Sequence, residues 1–152
     1  CTTLVVPEKC FKKAQEKAGK VKKIETVMPG ETLTVAGITL ETVPAYNILK
    51  PFHPKSNAWV GYILNTSHGR IYVAGDTDAT EELKKVQCDI ALIPVGGTYT
   101  MDAKKAAEAV NIMKPKVAIP VHYGTIVGKE SDADTFAGLL DLSIQVEILK
   151  EY

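Results

Sequence analysis

The hydrophobic pattern of the chain changes its character about halfway along the 152 residues. In the first half, short runs of alternating or β-branched apolar residues are separated by turn residues, which predicts strands joined largely as hairpins. The predicted strands are 2–6, 21–27, 32–35, 38–43, 59–65 and 70–74. Between the first two strands, apolar residues at helical spacing predict one helix that begins at Pro7 and ends at Gly19.

After a loop at 75–78, the pattern alternates between apolar runs and helical spacing. The predicted strands are 89–95, 117–121 and 144–148, and the first two are apolar enough to be buried on both faces. The predicted helices are 79–87, 103–113 and 131–142. Thr100 or Asp102 is the expected N-cap of the second helix, and Ser131 with Asp134 predicts a capping box for the third. Hairpins followed by β-α-β-α-β predict one layered α/β domain with a mixed sheet.

Charge and cysteine content narrow the choice of partner and compartment. Eighteen basic residues balance eighteen acidic ones, which disfavours nucleic acid as the main partner because phosphate binding needs a concentrated basic face. The apolar runs are too short for a membrane span. Cys1, Cys10 and Cys88 are odd in number and lack Cys-x-x-Cys spacing, so neither a disulfide framework nor a zinc ribbon is predicted. A reducing, cytoplasmic setting is expected.

Residues that can bind a metal follow the predicted buried strands. Asp76 comes two residues after the 70–74 strand, His122 directly follows 117–121, and a Gly-Gly-Thr-Tyr-Thr loop at 96–100 follows 89–95. If these strands are parallel neighbours, their carboxyl ends meet at one edge, where open α/β sheets bind ligands. A carboxylate and an imidazole there could hold a divalent metal. Taken singly, Asp76 also suits a turn or N-cap and His122 a structural hydrogen bond.

Three motifs, in order, resemble those of the metallo-β-lactamase fold. They are Ala-Gly-Asp-Thr-Asp at 74–78, the run from Ile93 to Asp102, and Ile-Pro-Val-His-Tyr-Gly at 119–124. The second motif and the long loop at 43–55 are similar to a subgroup that holds L-ascorbate-6-phosphate lactonase-like proteins and metal-dependent hydrolases. The resemblance covers essentially the whole chain. It implies an αββα sandwich.

The resemblance also implies a metal site and a reaction. Asp76 would bridge or anchor the metal, and His122 would complete a second position, with one or two Zn²⁺ ions, or Mn²⁺, as cofactor. A metal-bound hydroxide would attack an ester, lactone or phosphodiester of a small-molecule substrate. Substrate contacts are expected from Asn47, His53, Thr98 and Tyr99, although His53 is also a candidate metal ligand and Thr98 and Tyr99 suit a tight turn before a helix.

Two departures from the family pattern limit this expectation. The His-x-His-x-Asp-His motif, with its acid/base Asp, is absent: the chain has only His53, His68 and His122, and His68 is expected on a surface turn. In addition, Asn47 stands where relatives with a Pro-Ala-x-His motif have His.

Residues 1–152 are therefore expected to be the C-terminal two-thirds of one metallo-β-lactamase-like domain, inactive alone. Its N-terminal segment is the expected partner. That segment would cover the apolar strands that carry Val5, Ile63, Val73, Ile90, Leu92 and Val117. The alternative is a non-catalytic binding or scaffold domain of the same fold, and assembly into a homo-oligomer is left open.

Overall fold

The computed structural model describes residues 2–149, so Cys1 lies outside the described part of the chain. Its strands are β1 (Thr3–Pro7), β2 (Lys23–Val27), β3 (Thr32–Val35), β4 (Ile38–Pro44), β5 (Val60–Thr66), β6 (Gly69–Val73), β7 (Ile90–Pro94), β8 (Val117–Val121) and β9 (Gln145–Val146). Its helices are α1 (Phe11–Lys17), α2 (Glu81–Lys84), α3 (Ala103–Met113) and α4 (Glu130–Gly138), with short 3₁₀ turns at Glu8–Cys10 and Lys55–Asn57.

Seven strands form one mixed sheet in the order β3-β4-β5-β6-β7-β8-β9. The strands from β3 to β6 pair antiparallel, as hairpins or neighbours, whereas β6, β7, β8 and β9 are parallel. The first two strands, β1 and β2, pair parallel in a separate small sheet. The mixed sheet predicted from the hydrophobic pattern is therefore present.

Helices cover one face of the large sheet. Tyr72, Ala91, Ile93 and Ala118 point to this face and are fully buried. They share a core with residues of α2, α3 and α4, namely Leu83, Ala106, Ala107, Val110 and Phe136. Small, buried alanines on α3 let the helix pack closely on the sheet.

The opposite face of the sheet is less covered. Two cross-strand rows, Ile71–Ile90–Val117 and Val73–Leu92–Ile119, are apolar yet only half-buried. The small β1–β2 sheet approaches this face beside β5, where the Tyr62 hydroxyl donates to the Val5 carbonyl at 3.2 Å. The expectation that Ile63 needs cover is wrong, because Ile63 is 4% exposed and lies in the helix-covered core.

Helix ends differ from the predicted ones for local reasons. Asp102 rather than Thr100 caps α3, accepting a hydrogen bond from the Lys105 backbone N–H at 2.9 Å. The predicted capping box is displaced by two residues: α4 begins after Lys129, whose backbone N–H donates to the Asp132 carboxylate at 2.7 Å. Thr80 caps α2, which is only four residues long.

The predicted final strand is shorter than expected, because β9 includes only Gln145 and Val146. Within residues 2–149, Cys10 and Cys88 are free thiols. No helix in this part of the chain combines the length and apolar character needed to cross a bilayer.

Candidate metal site at the sheet edge

The three parallel strands β6, β7 and β8 end at one edge of the sheet, and each is followed by a residue or loop of the site. Gly75 turns the chain after β6 with φ +67°, a conformation that glycine adopts without strain, and Asp76 follows it. Gly96 follows β7, and His122 directly follows β8. The shared edge predicted from the sequence therefore exists, and it carries Asp76 and His122.

His122 is held in place by close packing against Gly96. Its own φ is +59°, in the left-handed region that non-glycine residues seldom adopt. A Cβ atom on Gly96 would lie 2.2 Å from the His122 carbonyl oxygen, so only glycine fits there. The two strand ends consequently fix each other's backbone.

Asp76 lies between two imidazole rings, each facing a different carboxylate oxygen. His53 Nε2 is 3.4 Å from Asp76 Oδ2, and His122 Nε2 is 3.5 Å from Asp76 Oδ1. The three side chains are accessible but not fully exposed, at 16% for His53, 31% for His122 and 40% for Asp76. This is the central contact of the site, and it includes His53, which the sequence left open as a metal ligand or a substrate contact.

Asn47 supports His53 and is itself buried, with 5% exposure. Its Oδ1 accepts from the His53 backbone N–H at 3.0 Å and lies 3.1 Å from His53 Nδ1. Its Nδ2 donates to the Tyr99 carbonyl at 2.9 Å, and its backbone N–H donates to the His53 carbonyl at 2.7 Å. The Asn47 amide is thus engaged in holding the loop. Its direct contact with substrate stays a prediction.

A lysine connects the 45–57 loop, which lies between β4 and β5, to neighbouring loops. Lys50 Nζ donates to Asp78 Oδ1 at 3.1 Å, to the Gly97 carbonyl at 2.9 Å and to the Thr100 carbonyl. The other oxygen of Asp78 accepts from the Ile48 backbone N–H at 2.9 Å. These contacts join the loop that carries His53 to the loops after β6 and β7, and so hold it at the sheet edge.

The loop after β7 presents two of the residues predicted to contact substrate. Thr98 is exposed, and Tyr99 is half-buried. The Tyr99 ring packs edge-on against Phe52, with ring centroids 4.8 Å apart. Their roles toward a substrate stay predictions. His68 lies on the exposed turn between β5 and β6, the position expected for a surface residue.

A cavity of about 680 Å³ adjoins His122. Its wall is mixed, with apolar Ile126 and Val127 beside the acidic Glu130 and Asp134. Tyr123 also lines it, and burial, with a smaller contribution from the two carboxylates, raises the pKa of its hydroxyl above the usual value. The hydroxyl therefore stays protonated and able to donate at neutral pH.

Within residues 2–149 there is no group of three or more His, Cys, Asp or Glu side chains arranged to hold one metal ion. His53 and His122 face separate oxygens of Asp76. Each side of Asp76 offers one imidazole and one carboxylate oxygen. Two ligands are fewer than the three or four protein ligands that zinc usually takes.

The fold and the motif residues at the sheet edge define a metallo-β-lactamase-like protein. Residues 8–122 match the family described as beta-lactamase superfamily domain, and the chain belongs to that family. Among curated proteins, it is similar to a UPF0173 metal-dependent hydrolase of Methanopyrus kandleri, with 33% identity over 138 residues, 85% of this chain and 60% of the relative. A UPF0173 metal-dependent hydrolase of Pyrococcus abyssi is 32% identical over 139 residues, 88% of this chain and 62% of the relative.

Solved structures agree on the fold. A crystal structure from Parabacteroides distasonis, titled as a metal-dependent hydrolase, matches with a TM-score of 0.77 and 34% identity over 97% of this chain and 64% of that one. A metallo hydrolase of Ignicoccus hospitalis matches with a TM-score of 0.75 over 98% of this chain and 66% of that one, and at 21% identity it supports the fold alone. The chain spans about 60% of the length of these two curated relatives.

Proposed function

We propose that this chain carries part of the metal site of a metal-dependent hydrolase, with His53, Asp76 and His122 as its metal ligands. The proposal depends on one observation, the placement of the two imidazole Nε2 atoms 3.4 and 3.5 Å from separate oxygens of Asp76. The names of the relatives, which are metal-dependent hydrolases, agree with it.

The donor set fits a divalent metal. Two ligands bound to one tetrahedral zinc at ~2.0–2.1 Å are about 3.3 Å apart, close to both imidazole–carboxylate distances. Because each histidine faces its own carboxylate oxygen, His53 and Asp76 would hold one ion, and His122 and Asp76 would hold a second. We therefore propose Zn²⁺, or Mn²⁺, in one or two positions.

The remaining ligands have to come from other residues. We propose that they belong to an N-terminal segment of the same fold, which would also supply the acid/base Asp expected from the resemblance. The length of the relatives is compatible with this, since about 40% of each of the two curated relatives described above has no counterpart in this chain. Residues 1–152 alone would then be inactive.

We propose hydrolysis of an ester, lactone or phosphodiester of a small molecule, as in the lactonase-like subgroup, in the cytoplasm. A bound metal supplies Lewis acidity and lowers the pKa of a coordinated water to about 7. Within this chain, Asp76 and the two histidines hold and orient that centre. We propose that the exposed Thr98 and the half-buried Tyr99 contact substrate, and that the cavity beside His122 offers room for part of it.

The test is metal content and turnover of alanine variants in the full gene product. Asp76→Ala should abolish metal-dependent hydrolysis of a generic phosphodiester and a lactone. His53→Ala and His122→Ala should each lower bound metal, measured by elemental analysis after dialysis, and slow turnover on the order of 100-fold or more. His68→Ala is the matched control, because it removes a histidine from an exposed turn away from the site.

The outcomes separate the enzyme from its alternative. Loss of metal and rate in the three site variants, with His68→Ala unchanged, supports the hydrolase. Tight metal binding that depends on the same residues, without turnover of either substrate class, favours the non-catalytic binding domain. Unchanged metal content in the three site variants would remove these residues from the site.

A further inference from the structure

The amide of Asn47 has one orientation that its neighbours allow. The Tyr99 carbonyl can only accept a hydrogen bond, so the atom facing it at 2.9 Å must be the donating Nδ2. The His53 backbone N–H can only donate, so the atom facing it at 3.0 Å must be the accepting Oδ1. Two independent backbone groups therefore agree on the same assignment, which does not depend on the imidazole ring.

This orientation decides the hydrogen position on the His53 ring. Asn47 Oδ1 also lies 3.1 Å from His53 Nδ1, and an amide oxygen cannot donate. A favourable contact requires the proton on Nδ1, so in the neutral ring Nε2 has the lone pair. His53 Nε2 lies 3.4 Å from Asp76 Oδ2. A nitrogen lone pair and a carboxylate oxygen repel each other at this distance unless a cation lies between them.

We propose that Asn47 is a positioning residue that selects the Nδ1–H tautomer of His53 and so leaves Nε2 free for a metal ion. The tautomer itself is independent of the proposed function, whereas its benefit to metal binding rests on it. Hydrogen bonds from the second ring nitrogen of a metal-binding histidine are known to fix its tautomer and orientation. Here a neutral amide provides that bond without adding negative charge beside Asp76.

Contacts with Asn47 and Trp59 fix the orientation of the His53 ring. Asn47 and His53 exchange two further hydrogen bonds, from the Asn47 backbone N–H to the His53 carbonyl and from the His53 backbone N–H to Asn47 Oδ1. The Trp59 ring packs against the imidazole from another side, with centroids 5.3 Å apart. Rotation of the ring to exchange its nitrogens would break the Nδ1 contact and disturb this packing.

Two variants of nearly equal size separate the acceptor from the loop-holding role. Asn47→Asp keeps an oxygen that accepts from His53 Nδ1–H, whereas Asn47→Leu has no acceptor. Both variants lose the donor to the Tyr99 carbonyl. An effect due only to the lost Tyr99 contact should therefore be the same in both variants. Asn47→Leu alone also loses the acceptor for the His53 backbone N–H and for Nδ1, so the tautomer has to be read directly at the ring nitrogens.

The direct readout is ¹⁵N NMR of the imidazole nitrogens in the metal-free full gene product, at a pH where the rings are neutral. His53→Gln assigns the His53 signals, and the exposed His68 serves as an internal reference. We expect Nδ1–H for His53 in the wild type and in Asn47→Asp, and a mixture of tautomers in Asn47→Leu. A wild-type ring protonated on Nε2 would overturn the proposal, whether or not either variant folds.

Zinc affinity, measured by competition with a chelator, gives the second readout. Asn47→Leu should bind zinc on the order of 10–100-fold more weakly, and Asn47→Asp should stay within a few-fold of the wild type. Equal losses in both variants would reduce Asn47 to a loop-holding residue. If the wild type shows the Nδ1–H tautomer but no zinc binding, the proposed function fails while the role of Asn47 in selecting the tautomer stands.

Discussion

At the scale of single residues, Tyr72 buries a hydroxyl that makes no hydrogen bond within residues 2–149. Its side chain is fully buried in the helix-covered core. Burial raises the pKa of this hydroxyl well above its usual value, because the charged form would be poorly solvated. An unsatisfied buried hydroxyl costs stability that a phenyl ring of the same shape does not.

Tyr72→Phe is therefore expected to stabilise the protein by about 1 kcal/mol in urea unfolding. The stability gain should widen above pH ~10, the pKa of tyrosine in an unfolded chain. Since the raised pKa keeps Tyr72 protonated in the folded state, wild-type stability is intact below that pH and is lost as pH rises toward the folded pKa. The phenylalanine variant lacks this loss.

Tyr62→Phe is the matched control on the adjacent strand. Its hydroxyl donates to the Val5 carbonyl, so its removal should destabilise the protein by about 1 kcal/mol. Opposite signs for the two variants are the expected result. A destabilised Tyr72→Phe variant would mean that the Tyr72 hydroxyl has a hydrogen-bond partner, such as a buried water.

At the scale of elements, the contact between the ends of β7 and β8 controls the position of His122. A side chain at Gly96 would collide with the His122 carbonyl at 2.2 Å, and backbone atoms cannot move aside as a flexible side chain can. Gly96→Ala is thus expected to displace His122, lowering bound metal in the full gene product and destabilising the fold by about 2 kcal/mol.

Gly138→Ala tests whether this effect is specific. Gly138 is at the end of α4 with no atom within 4 Å of an added Cβ, so alanine should be neutral or stabilise by up to ~1 kcal/mol. Metal analysis and thermal unfolding of both variants give the comparison. Normal metal content in Gly96→Ala would show that the close approach to Gly96 is not what positions His122.

The elements that the sequence predicted well are those whose periodicity is set by burial. The ends of β7 and β8 follow from apolar runs, and the edge that carries Asp76 and His122 follows from their parallel arrangement. The path of the 45–57 loop has no such periodicity. Its course depends on the Lys50–Asp78 ion pair and on the Asn47 amide, which are contacts between residues distant in sequence. For this reason the sequence could not decide whether His53 approaches Asp76 as a metal ligand or only contacts substrate.

At the scale of the whole molecule, the face of the large sheet opposite the helices leaves apolar side chains partly exposed to solvent. Val73, Leu92 and Ile119 form an apolar row across three neighbouring strands, and Ile71, Ile90 and Val117 form another. All six are only half-buried. Buried parallel strands normally have cover on both faces, and within residues 2–149 helices cover one face.

We therefore expect residues 1–152, expressed alone, to have a low free energy of unfolding. If additional sequence normally covers ~400 Å² of this apolar face, its loss costs about 10 kcal/mol at ~25 cal/mol per Å², comparable to the whole stability of a typical domain. Thermal unfolding should then be weakly cooperative, and the dye ANS should bind strongly. The full gene product, measured in parallel, should unfold cooperatively and bind little dye. A cooperative transition, no dye binding and a monomer by light scattering for residues 1–152 would show that this face needs no additional cover.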